Sequence, residues 1–238
     1  MHALWTSVLD FFFPRFCLHC HQRIQLTQEG FICDLCAKEF VLSDGACCQR
    51  CGRPMLPEAE HNLVCADCLE TNPSFQFGIT LFPYKGIGRE FIQLLKYKNG
   101  QFLKSNLQAL FKKFILKLSA FQGSTFVPVP LHYFRRWQRG FNQSEWIANL
   151  LSRHCQGKVK NALIRQRYTQ SQTHLTREER KVNVSNVFSL KKRDVCNPHV
   201  HYVLVDDVFT TGATLNACAS TLRKGGAQRI SIFALAHG

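Results

Sequence analysis

Two adjacent carboxylates, Asp206 and Asp207, stand just before a hydroxyl-rich run, Thr210-Thr211-Gly212-Ala213-Thr214. A carboxylate pair accepts hydrogen bonds from sugar hydroxyls or faces a hard cation such as Mg²⁺. A glycine and threonines at a helix start offer backbone N–H groups, hydroxyls and a favourable dipole to an anion. No lysine follows the glycine, so this is not the loop that holds nucleoside triphosphates. A ligand with a phosphate at one end and a diol beside it suits both halves, and a ribose 5-phosphate is such a ligand. An ordinary strand-to-helix turn with capping threonines is the bland alternative. The ordered combination of apolar strand, paired acids and Thr-Thr-Gly-x-Thr speaks against it.

Cysteine supplies a second chemistry. Of twelve cysteines, nine lie between Cys17 and Cys68, and eight of these form the pairs Cys17/Cys20, Cys33/Cys36, Cys48/Cys51 and Cys65/Cys68. A C-x-x-C turn puts two thiolates on one metal, and two turns close a tetrahedron, so eight thiolates suit two structural Zn²⁺ ions. Sequential pairing is the simplest assignment; an interleaved pairing and Cys47 in place of Cys48 both remain open. Cys155, Cys196 and Cys218 read as isolated core or surface thiols. Met1 to Phe13 is apolar but lacks a basic start and a cleavage site, so no export signal is read there. It is too short to span a bilayer. It reads as an amphipathic segment packed on the body, with a membrane-surface role as the weaker option. A reducing, cytoplasmic setting favours metal over disulfides.

The elements that must position these groups follow from periodicity. Tyr202 to Val205 reads as a buried parallel strand, then an acidic turn, the hydroxyl loop, and a helix from Leu215 to Lys224 ended by Gly225-Gly226. Phe75 to Tyr84 predicts a strand, Gly88 to Tyr97 a helix, and Phe102 to Leu118 a second helix with a solvated lysine face. Phe126 to Pro130 is a short strand. A polar loop, Arg135 to Ser144, then leads into a helix from Glu145 to about His154. Glu70 to Ser74 marks a boundary between residues 1–74, a small module that needs metal staples to fold, and residues 75–238.

Charge divides at the same place. Residues 1–75 hold 5 Lys/Arg against 9 Asp/Glu, net −4, and the rest hold 25 against 7, net +18. The larger part therefore offers a basic surface to a polyanion. Arg135, Arg136, Trp137, Arg139 and Phe141 combine cations with rings, the composition that tracks a single strand and stacks on its bases. A solvated loop with two buried rings is the alternative. The polar stretch from Ile164 to Leu175, followed by Arg180 and Asn183, is long for an internal loop and reads as a functional lid or a disordered segment.

Val203 to Leu215 resembles the phosphoribosyl-pyrophosphate (PRPP) motif of type I phosphoribosyltransferases. That resemblance implies an α/β fold with a parallel sheet. It also implies that Asp206 and Asp207 hold the ribose hydroxyls as the catalytic pair. Thr210, Thr211, Gly212, Ala213 and Thr214 would cradle the 5-phosphate, and Mg²⁺ would accompany PRPP. In that family a mobile loop covers the pyrophosphate, which places Arg165, Arg167, Thr169, Gln172 and Arg180 in a flexible loop.

Nearly the whole chain is similar to the ComF family of competence proteins. The matching strings are the cysteine pairs, Val127 to Pro130, Arg139 to Ser144, the Arg165 to Leu175 pattern, Arg180 with Asn183, and Val203 to Thr214. The resemblance implies handling of incoming single-stranded DNA in the cytoplasm during natural transformation, with PRPP as a ligand. It also implies partners among other competence proteins, a DNA helicase or a recombination mediator. Two other classes compete: an active phosphoribosyltransferase on an unidentified acceptor, and a PRPP-sensing regulator. No helix-turn-helix signature supports the regulator.

Overall fold

The computed structural model describes residues 15–24, 32–38, 46–55, 63–97, 103–166, 187–191 and 195–238; the side chains of Tyr97, Phe134, Arg135 and Gln138 fall outside that description. Met1 to Phe13 lies outside the described residues, as do Arg167, Thr169, Gln172 and Arg180.

A five-stranded sheet carries the fold. Its strands are β1 (Phe77–Pro83), β2 (Thr125–Pro128), β3 (Lys158–Val159), β6 (His201–Phe209) and β7 (Arg229–His237). They lie in the order β1-β7-β6-β2-β3, and every pairing is parallel. A parallel sheet must be covered on both faces, which is why β6 and β7 read as nearly unbroken apolar runs. On one face Val203 and Val205 pack with Phe91, Ile92 and Leu95 of α3 (Gly86–Tyr97), with Phe111 of α4 (Lys104–Lys113), and with Ile147 and Leu151 of α7 (Gln143–His154). On the other, Leu204 and Ile232 pack with Leu215, Cys218 and Leu222 of α8 (Ala213–Lys224). Among the described residues no helix is long and apolar enough to cross a membrane.

The cysteine-rich part holds two short helices, α1 (Asp34–Ala37) and α2 (Ala66–Thr71), each starting after a cysteine. Asn72, in the left-handed conformation, stops α2 by donating its N–H to the Cys68 carbonyl. The turn falls within the predicted Glu70 to Ser74 boundary.

Several expectations need correction. The acids are not in a turn: β6 runs through Asp206 and Asp207 to Phe209, because ladder pairing with β7 continues to Phe209 and His237. The 102–118 segment is not one helix. It breaks at Phe114 into α4 and α5 (Ile115–Leu118), followed by a 3₁₀ turn over Ser119–Phe121. The break turns Phe114, Leu118 and Phe121 all into the core. The polar loop expected at 135–144 is helical at both ends: its first half belongs to α6 (Tyr133–Arg139), and Gln143 and Ser144 already belong to α7. Finally, β4 (Leu163–Arg165) and β5 (Phe188–Leu190) form a separate antiparallel pair that brackets the long polar segment.

Candidate functional site

The chain leaves β2 for α6, α7 and β3 on one side of the sheet order, whereas β6 leads through α8 to β7 on the other. The order therefore reverses between β2 and β6. Open parallel sheets bind ligands at such a reversal, beyond the carboxyl ends of the two strands. Val129 follows β2 and donates its N–H to Val205. The end of β6 supplies the acids and the hydroxyl loop.

Asn142 and Ser144, from the Arg139 to Ser144 string, are built into this crevice. Asn142 caps α7 by accepting from the Ser144 N–H at 3.1 Å, and its Nδ2 donates to the Val129 carbonyl at 3.0 Å. The Ser144 hydroxyl donates to Asp206 Oδ1 at 2.9 Å, and the Asp207 N–H donates to the same oxygen at 3.0 Å. The neighbouring Gln143 is buried, and its Oε1 has no hydrogen-bond partner.

The two acids have different surroundings, as successive strand residues must. Asp207 is buried, and its Oδ2 lies 3.0 Å from the Lys96 ammonium at the end of α3. That contact is an ion pair outside hydrogen-bond alignment. Asp206 sits deep in the molecule although part of its surface is accessible. Burial, then the charge of Asp207, pushes its carboxyl up to about 7, against the opposing pull of Ser144, the Asp207 N–H and Lys96. Lys96 was not foreseen from sequence. The available signal was its position one turn after Ile92, on the apolar stripe of α3.

The hydroxyl loop caps α8. Gly212, at φ +73°, is the residue before the helix, and a Cβ there would lie 2.6 Å from the Phe209 ring. Only glycine supplies both that backbone and that space. Thr210 is exposed, and Thr211, Ala213 and Thr214 are partly buried, with Thr211 Oγ1 accepting from the Ala213 N–H at 3.4 Å.

The aromatic-basic group is only partly assembled. Trp137 is 78% exposed on α6, and Arg136 is exposed with Glu145 at 3.9 Å. Arg139 and Phe141 are half-buried. Arg165, on β4, lays its guanidinium over the Phe188 ring at 5.5 Å.

Cys17, Cys20, Cys33 and Cys36 form one cluster and Cys48, Cys51, Cys65 and Cys68 another, with ligand atoms within 4.8 Å of one another in each. The pairing is sequential, and Cys48 rather than Cys47 is the ligand. A tetrahedron with metal–sulfur bonds of about 2.3 Å has edges of about 3.8 Å. The Cys20–Cys33 and Cys51–Cys65 sulfur separations are 3.6 and 3.8 Å, so the residues fit zinc. Each site repeats one device: the Cys33 N–H points to Cys17 Sγ at 3.4 Å, and the Cys65 N–H to Cys48 Sγ at 3.3 Å. Burial opposes ionisation of Cys17 and Cys48, yet these and other backbone N–H groups bring them down to about 6 and about 7. Thiolate is thereby favoured at the first ligand of each site.

A double zinc ribbon domain matches residues 8–69. Over nearly its whole length the chain is also similar to competence protein F of Haemophilus influenzae, 31% identical over 95% of this chain and 98% of that protein. The chain belongs to the competence protein F family. Within it, DNA utilization protein YhgH of Escherichia coli K12 is 33% identical, covering 93% of this chain and 96% of that one. Competence protein ComFC of Bacillus subtilis is 27% identical, covering 86% and 83%. Among the described residues, the cysteine pairs quoted above form the two zinc-ribbon sites, and Val127 to Val129, Asn142, Ser144 and Asp206 meet where β2 and β6 lie side by side.

Proposed function

We propose that this chain is a competence factor that handles single-stranded DNA in the cytoplasm and binds PRPP with Mg²⁺ in the crevice between β2 and β6. Residues 1–74 serve as the zinc-binding module and 75–238 as the phosphoribosyltransferase-like domain. The observation that carries the PRPP reading is the junction of Ser144 with Asp206 at the point where strand order reverses. It brings Asp206 beside the loop that caps α8. A diol with a phosphate suits this carboxylate and this helix N-terminus. Asp206 accepts a sugar hydroxyl, and the loop at the start of α8 takes the phosphate. Asp207, paired with Lys96, anchors the end of β6 to α3 on the opposite face.

The names of the relatives speak of competence and DNA utilization. The exposed Trp137 beside Arg136 supports the DNA reading. Calorimetry with PRPP and Mg²⁺, run with and without a single-stranded oligonucleotide, tests both ligands at once. Asp206→Asn should abolish PRPP binding and spare DNA binding. Trp137→Ala should do the reverse, costing about 1–3 kcal/mol of DNA affinity. Equal affinity of every variant for both ligands would refute the assignments.

A second reading, turnover of PRPP onto an acceptor, draws on the raised carboxyl of Asp206, since a group poised near neutral pH suits proton transfer. Release of pyrophosphate in the same mixture decides for it.

A further inference from the structure

The second cysteine site is joined to the hydroxyl loop by an unbroken set of contacts. Arg53 follows the Cys48–Cys51 turn, and its Nη1 lies 2.9 Å from Asp67 Oδ2. Asp67 lies on α2 between Cys65 and Cys68, so the ion pair ties together both halves of the site. Arg53 Nε donates to His237 Nε2 at 3.1 Å. The His237 ring stacks on Phe209, with centroids 5.4 Å apart and planes 29° apart. Phe209 and His237 are register partners at the ends of β6 and β7. The Phe209 ring then fills the space that a Cβ on Gly212 would need.

The start of this path is also fixed. Gly52 packs on the β1 backbone so closely that a Cβ would lie 2.6 Å from the Gly78 carbonyl oxygen. Its own carbonyl accepts from Thr80 Oγ1 at 3.0 Å. Arg53 is thus launched from a rigid point on the sheet. A cavity of about 480 Å³ opens along the path, lined by Cys51, Arg53, Asp67, Phe209, Thr211 and Gly212 among others. Thr211 and Gly212 border this cavity together with Phe209, whose ring carries the stack on His237.

Resting on the reading of Thr210 to Thr214 as a phosphate cradle, we infer that Arg53 and His237 are positioning residues for that cradle, holding its backbone N–H groups through Phe209. The second zinc ribbon thereby contributes to ligand binding at that loop. Arg53 suits the task because a planar guanidinium can bond Asp67 and His237 at once. His237 suits it because one ring both accepts from Arg53 and stacks on Phe209. The competing account is that these contacts only pack the ribbon on the sheet. That account predicts a general loss of stability with no effect confined to the loop.

The test uses the full chain with both zincs bound. Amide exchange at Thr210 to Thr214 and calorimetric affinity for PRPP with Mg²⁺ are measured for wild type, Arg53→Gln, His237→Ala and His237→Phe. Arg53→Gln should keep two zincs, speed exchange in the loop alone and weaken PRPP by about tenfold or more, the scale on which misplaced binding groups are felt. His237→Phe keeps a ring on Phe209 and should retain more affinity than His237→Ala. Should Arg53→Gln lose zinc, the two His237 variants, which leave the Arg53–Asp67 pair in place, decide. The inference is overturned if the variants leave loop exchange and affinity at wild-type values, or if protection falls equally throughout β6 and β7. Absence of PRPP binding by wild type would remove the ligand reading, while loop exchange would still decide the role of Arg53 and His237.

Discussion

Ser144 Oγ lies 2.9 Å from Asp206 Oδ1, which joins the N-terminus of α7 to the carboxyl end of β6 across the crevice. The bond has two consequences. It aims the carboxylate, and it favours the ionised form against burial and the charge of Asp207. Ser144→Ala should therefore leave the fold intact and weaken PRPP. A hydrogen bond to a charged group contributes about 1.5–3 kcal/mol, so the loss should be on the order of tenfold or more. Titration calorimetry reads it directly, and an unchanged affinity would separate Ser144 from the ligand site.

The Lys96–Asp207 pair makes a stability prediction. Both side chains are largely buried, at 22% and 8% exposure. Lys96→Met leaves a buried carboxylate uncompensated and should cost about 3–5 kcal/mol in urea unfolding. Adding Asp207→Asn should recover most of that loss, because the charge left unpaired is then gone. A cost below about 1 kcal/mol for the single change would place the pair among ordinary surface contacts.

The crevice was legible in part, for identifiable reasons. Asp206, Asp207 and the Thr-Thr-Gly-x-Thr run are adjacent in sequence, so their chemistry could be read locally. Their dependence on Ser144 and Lys96 could not, because those partners arrive from α7 and α3 through long-range packing. The buried parallel strand β6 was legible from its apolar run, whereas the sheet around it followed from the phosphoribosyltransferase resemblance and β7 was not foreseen. The reading of a turn at the acids failed because polar residues in a strand mimic a turn when the tertiary ladder is unseen. Arg135 to Arg139 has the charge of a loop, although it contains no proline or glycine and its residues accept helix. The sequential zinc pairing was the simplest reading and is the one observed, but four evenly spaced pairs also admit an interleaved arrangement, which only three dimensions exclude.

The two cysteine sites differ in access. Cys20 is exposed, whereas all four ligands of the second site are buried. A competing chelator should thus draw zinc in two phases, the first from Cys17, Cys20, Cys33 and Cys36. Metal analysis before treatment should give two zincs per chain. Among the eight ligands, alkylation mapped by mass spectrometry during release should find Cys20 first. A single phase, or early labelling of Cys51, would contradict the order.

His237 gives the pH dependence. Burial, and then the Arg53 cation, lowers it from 6.5 to about 4. A histidine held neutral in the fold but free to protonate when unfolded makes the unfolded state bind more protons between those values. Stability therefore rises with pH through that window. The contribution is fully present above about pH 6.5 and is lost as the pH falls toward 4, with a slope of at most about 1.4 kcal/mol per pH unit from this one group. Acid also protonates the zinc-bound cysteines, so the comparison must be between variants in excess zinc. His237→Gln keeps an acceptor for Arg53 but cannot titrate. Urea unfolding at pH 4.5, 5.5 and 6.5 should show a shallower pH dependence for His237→Gln than for wild type. Parallel curves would mean that His237 protonates alike in both states, and that the Arg53 contact does not hold it neutral.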